Sequence, residues 1–99
     1  MSKVIIKIAP AKLLAQIYFT DDKAKLATSL LPWYEAQEPI IMSEEGLYAA
    51  EEAFELTNNP SREEERMVRY GNQRSVSTGD IVEVDGIDYL CGSFGWITL

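Results

Sequence analysis

The sequence predicts an α+β fold: a small antiparallel β-sheet with a C-terminal hairpin and helices packed on one face. Three observations lead there. A Val/Ile-rich run alternating with lysine opens the chain over residues 3–9. An amphipathic segment with a start signal follows over residues 43–58. Two apolar, β-branched runs then flank Asp85-Gly86, a dipeptide suited to a two-residue hairpin turn. With 99 residues there is room for a single domain, 1–99.

The first run reads as a strand that Pro10 stops. Residues 11–19 carry mixed signals, helical in Ala11-Lys12-Leu13-Leu14-Ala15-Gln16 and extended in Ile17-Tyr18-Phe19; a strand ending near Thr20 is favoured. Asp21 is placed to cap a short helix over about 22–31, with Ala24, Ala27, Leu30 and Leu31 on one side and Pro32 at its end. Residues 33–38 read as a connection and residues 39–42 as a short strand.

Ser43 is a good N-cap for the next helix, and Glu44 and Glu45 suit the positive end of its dipole. Leu47, Ala50 and Phe54, with Ala53 alongside, form its expected apolar stripe. Asn58-Asn59-Pro60 ends it, because Asn tolerates a left-handed cap and Pro cannot continue a helix. Ser61-Arg62-Glu63-Glu64 reads as a capping box opening a polar helix to about Arg69, and residues 70–73 as a turn. In the hairpin, a two-residue turn pairs Val84 with Ile87, Val82 with Tyr89 and Asp80 with Cys91 on one expected core face. Glu83 then opposes Asp88 on the solvent side, and residues 94–99 supply a third strand.

The composition, 46% hydrophobic and 25% charged, is that of a globular chain rather than a disordered one. The net charge of −7 disfavours binding to duplex nucleic acid, which needs clustered Lys and Arg, and docking on anionic membranes. Acidity concentrates in residues 35–65, which hold ten Glu and one Arg. A single cysteine, Cys91, allows no internal disulfide. With no secretory signal in the N-terminal run and no long apolar segment, a cytoplasmic location without membrane contact is expected.

No catalytic, cofactor or metal residues are expected. The chain contains no histidine, the commonest general base and a frequent metal ligand. No phosphate-binding loop, dinucleotide fingerprint or nucleophile elbow is present. Asp80, Asp85 and Asp88 read as a turn residue and hairpin surface, because Ca²⁺ needs six to eight converging oxygens. Cys91 reads as a small core residue with nothing nearby in sequence to activate it.

Two surfaces stand out. Glu44, Glu51 and Glu55 fall at helical spacing, widened by Glu45 and Glu52, as a candidate docking face for a basic protein. A solvated helix face is the plainer reading of the same stripe. Trp33, Tyr34 and Trp96, with Phe94, are a candidate aromatic patch, although aromatics also build small cores. Arg62, Arg66 and Arg69 read as partners in helical ion pairs such as Glu65–Arg69.

The segment Arg74-Ser75-Val76-Ser77-Thr78-Gly79-Asp80-Ile81-Val82, followed by Tyr89-Leu90-Cys91-Gly92-Ser93-Phe94-Gly95-Trp96, resembles the YodL-like domain. The helix at residues 49–58 is similar to the one preceding that turn, so the likeness covers about residues 44–99. Thr78 departs from the family's usual aliphatic residue. The resemblance implies a small bacterial protein of the kind carried on mobile elements, with no enzyme activity and no cofactor. The motif itself reads as structural: Gly79 for a bend, Ser75 and Ser77 to bond turn amides, Asp80 to start the strand.

The leading expectation is therefore a non-enzymatic protein-interaction module, an accessory protein of a mobile element. One alternative is an inhibitor that mimics nucleic-acid charge. Another is a domain taking peptide or nucleic acid on its sheet, which an open groove lined by Tyr89 and Trp96 would support and a buried pair would oppose. Monomer and homodimer stay open.

Overall fold

β1 (Ser2–Ile8) is the long strand around which the rest of the sheet is arranged. In the computed structural model, which describes residues 1–11, 16 and 20–99, its alternate residues Ser2, Val4 and Ile6 are buried. The order continues with α1 (Lys23–Leu30), a 3-10 turn (Leu31–Trp33), β2 (Glu35–Ala36), β3 (Ile40–Met42) and α2 (Gly46–Asn58). A second 3-10 turn (Pro60–Arg62), α3 (Glu63–Arg69), β4 (Ile81–Val84), β5 (Ile87–Cys91) and β6 (Trp96–Thr98) complete it. The strand expected over residues 11–19 rests on residues 12–15 and 17–19, which lie outside the described residues.

The sheet runs β2-β1-β4-β5-β6, and β3 shares with β2 the outer edge of β1. All the pairings are antiparallel, as the α+β reading expects. The β4–β5 hairpin forms in the expected register, with Val84 opposite Ile87 and Val82 opposite Tyr89. Asp85 and Gly86 adopt φ of 49° and 88°, the positive pair a primed turn requires. Asp85 also binds β1, accepting the Lys3 N–H at 2.9 Å and donating its own N–H to the Lys3 carbonyl at 3.0 Å.

The larger core lies between the sheet and α2. Val4, Ile6, Val82, Val84, Tyr89 and Cys91 meet Ala49, Ala50, Ala53 and Leu56. On the reverse face, Ala27 of α1 meets Ile81 and Leu90, with Leu31 and Tyr34 packed alongside. Ile87, expected in the core, is 49% exposed at the hairpin tip, beyond the reach of α2.

Several local expectations give way to competing chemistry. α1 is capped by Asp22 rather than Asp21, with the Asp22 carboxylate accepting the Lys25 N–H at 3.0 Å. Ser43 does not cap α2. Gly46, the first residue of α2, takes φ 55°, so right-handed helix cannot extend back through it to Ser43, and Glu45 is an N-cap making no side-chain bond.

The buried face of α2 is Ala49, Ala50, Ala53, Leu56 and Thr57. Leu47 and Phe54, expected inside, are 43% and 39% exposed. Small side chains let the helix settle close to the sheet, which leaves the two larger residues on its flank.

Asn59 ends α2 with φ −86°, not in the left-handed region. Its side chain accepts the Ser61 N–H at 2.9 Å, which draws Ser61 into the 3-10 turn. The capping box is therefore not made, and α3 starts at Glu63 with no side-chain cap.

Candidate functional site

The charged side chains sort into two groups. In the first, each charge meets an opposite one inside the fold. Glu52 receives a two-pronged contact from Arg62, at 2.8 and 2.6 Å, tying α2 to the segment that opens α3. Arg62 and Arg69 also bind Glu65, each at 2.9 Å. The Arg62 hydrogen bond holds the Glu52 carboxyl below the usual range, and the bonds from Arg62 and then Arg69 do the same for Glu65. The expected Glu65–Arg69 pair is thus part of a network. Arg66 turns inward instead, donating to the Thr57 and Gln73 carbonyls and to Ser75 Oγ.

Glu83 and Asp88 oppose each other as expected, but Lys7 of β1 lies between them at 2.9 and 3.0 Å. Their repulsion becomes a three-charge bridge across adjacent strands.

Asp80 is the most fully enclosed charge. Its carboxylate has no exposed surface and is held by both Arg74 terminal nitrogens at 2.8 and 2.7 Å. It also accepts the Ala9 and Ser77 N–H groups, each at 2.9 Å. The bend at Gly79 forms, with φ 98°. The role expected of the serines passes to Asp80, which takes the turn amide of Ser77, while Ser75 Oγ donates to the Thr57 carbonyl at 2.5 Å and Ser77 Oγ to the Asp80 carboxylate at 3.3 Å. Asp80 is therefore a buried organiser of this turn. Asp85 and Asp88 bind Lys3 and Lys7, and among the described residues no group of His, Cys, Asp or Glu is placed to hold a metal.

The second group faces solvent. Glu51 and Glu55 are exposed on the outer side of α2 and meet no basic side chain among the described residues; Glu55 accepts only the Asn59 amide, at 2.6 Å. Glu44 and Glu45 precede the helix, so the five-glutamate stripe expected from spacing is broken: Gly46 takes two residues off the helix, and Arg62 neutralises a third, Glu52.

The proposed aromatic patch is also divided. Tyr34 packs on the reverse face with Ala27, Ile81 and Leu90, and its hydroxyl donates to the Gly79 carbonyl at 2.5 Å. Burial, with the nearby Asp80 charge, pushes the Tyr34 phenol up to about 12. Trp33 stands beside it, 61% exposed. Trp96 lies against the opposite core and meets Phe54 edge-to-face, ring centroids 6.4 Å apart. Phe94 is fully exposed in the turn before β6.

The structure brings together residues the sequence reading had separated. Phe54, Cys91, Gly92, Ser93, Gly95 and Trp96 line a groove of about 250 Å³ between α2 and the turn into β6. Cys91 is buried at its floor, and burial pushes its thiol up to about 11, so it is protonated at neutral pH. The signal for this site was available in the alternative α2 stripe of Ala49, Ala53 and Leu56 with Ala50 and Thr57, which turns Phe54 outward. Comparison with protein-family models, curated proteins and solved structures found no match to this chain. No helix among the described residues is long and apolar enough to cross a membrane.

Proposed function

We propose that this chain is a non-enzymatic, cytoplasmic protein-interaction module, an accessory protein of a bacterial mobile element, whose docking surface is the outer side of α2. One observation carries the reading: Leu47 and Phe54 are partly exposed beside Glu51 and Glu55, which have no basic partner among the described residues. Apolar side chains next to unmatched charge make a surface suited to a basic protein with an apolar contact. The resemblance of residues 44–99 to the YodL-like domain supports the bacterial, mobile-element context.

The phosphate-mimic variant draws little from α2, because Glu52 is already paired and Glu44 lies off the helix. The sheet-binding variant is opposed by Tyr89, which is buried, and by Trp96, which packs against the same core.

The test is affinity capture from bacterial lysate at low and moderate salt, followed by reconstitution with the purified captured protein. Wild type should retain a basic protein that Glu51→Lys/Glu55→Lys loses, with retention falling as salt rises. Equal retention by both proteins, or by neither, removes the outer side of α2 from consideration.

A further inference from the structure

We infer that the groove beside Phe54 and Trp96 receives a short basic peptide segment of a partner protein, with one apolar side chain seated in the groove and Lys or Arg flanking it. This rests on the interaction-module reading and names the partner's chemistry. The groove volume, about 250 Å³, lies below the range of small-molecule sites, about 300–1,000 Å³, and suits a single large side chain. The packed edge-to-face pair of Phe54 and Trp96 forms one side of it, the 92–95 turn lines the other, and the buried, protonated Cys91 is part of its lining. Nothing in that lining attracts charge, so the seated group is apolar.

Charge complementarity supplies the rest. Glu51 lies one helical turn before Phe54 on the same exposed side of α2, Glu55 follows one turn after Glu51, and neither glutamate has a basic partner among the described residues. The basic residues of an incoming segment are therefore directed to the α2 side.

The experiment is selection from a phage-displayed random dodecapeptide library on the immobilised full chain. The strongest selected peptide is then synthesised and titrated by calorimetry. Selected sequences should share an apolar residue flanked by Lys or Arg. The synthetic peptide should bind Glu51→Lys/Glu55→Lys at least tenfold more weakly, and Trp96→Ala likewise. It should bind Glu63→Lys/Glu64→Lys, altered on α3, as it binds wild type. Far-ultraviolet circular dichroism checks that each variant is folded, and the charge variant decides the matter if Trp96→Ala is not. The inference is overturned if no peptide is selected, if the selected sequences lack excess Lys and Arg, or if the charge variant binds like wild type. Peptides whose binding resists both sets of changes would leave an interaction module that docks elsewhere. The lysate experiment separately decides whether the module reading holds.

Discussion

On the α3-facing edge of α2, Glu52 meets Arg62 at 2.6 Å and lies 3.9 Å from Arg69. Along the outer edge of α2, Glu51 and Glu55 face solvent, with Leu47 and Phe54 partly exposed. The two edges belong to one helix and are similarly rich in glutamate. They differ in what the chain returns past them. The 59–69 segment brings arginines to one edge, whereas the strand after the 92–95 turn brings only Trp96, against Phe54, near the other. Acidity along a sequence is therefore a poor guide to an available acidic surface; what matters is which glutamates the tertiary fold leaves without a cation.

The comparison is sharpest where charge is wholly internal. Replacing Asp80 by alanine leaves Arg74 unpaired and the Ala9 and Ser77 amides without their acceptor. Arg74 is 37% exposed and can be solvated, so the orphaned amides dominate and the expected loss is about 2–4 kcal/mol, read by urea denaturation. A loss under about 1 kcal/mol would show that solvent replaces these bonds cheaply and that the turn is not organised by this carboxylate.

Smaller is the alkaline effect at Cys91. Its folded-state pKa, about 11, exceeds the unfolded value of 9.0, so the folded protein keeps the thiol proton longer. That contribution is whole below pH 9 and is lost as pH rises towards 11, and it amounts to at most about 3 kcal/mol. Lys7 is also shifted upward. Burial alone would lower it, but bonds to Glu83 and Asp88 outweigh burial, so its bridge weakens at still higher pH. Stability should decline from about pH 9, and Cys91→Ala should flatten the first part of that decline. An unchanged profile would mean that the thiol is not the titrating group.

Glu52→Gln keeps the shape of the side chain and removes its charge. A loss of about 1 kcal/mol at neutral pH is expected, given a partly buried two-pronged contact. Because the folded-state pKa of Glu52 is depressed, this contribution is present above the unfolded value, 4.5, and is lost as pH falls through the folded one. The stability difference between wild type and variant should therefore shrink progressively as the pH is lowered below 4.5. A difference that persists in acid would point to packing rather than charge.

These contrasts also mark what the sequence could reveal. β1 and the β4–β5 hairpin were legible because alternation and the Asp-Gly turn act within a few residues. The buried face of α2 was not, because both a Leu47/Ala50/Phe54 stripe and an Ala49/Ala53/Leu56 stripe satisfy helical periodicity. Contact with the sheet selects the one with smaller side chains. The capping box lost to Asn59, two residues upstream of Ser61, through an equally local bond. The role of Asp80 depends on Ala9, far away in sequence, and no local pattern contains that information. The groove beside Phe54 and Trp96 was hidden for the same reason, since Phe54 read as core and Trp96 as part of a patch with Trp33 and Tyr34, and no local pattern joins the two.

The smallest stability change should come from the surface proposed to have the largest role in binding. Glu51 and Glu55 make no ion pair among the described residues, so Glu51→Lys/Glu55→Lys removes no internal charge contact. It also reduces the net charge from −7 towards neutrality, which lowers self-repulsion. Stability should move by no more than about 0.5 kcal/mol in either direction, measured by urea denaturation beside Glu52→Gln. A loss as large as that of Glu52→Gln would mean that the outer glutamates hold the fold together, and the distinction between the two edges of α2 would collapse. A near-zero change combined with lost partner capture would separate stability from binding on a single helix, with Glu52 serving the first and Glu51 and Glu55 the second.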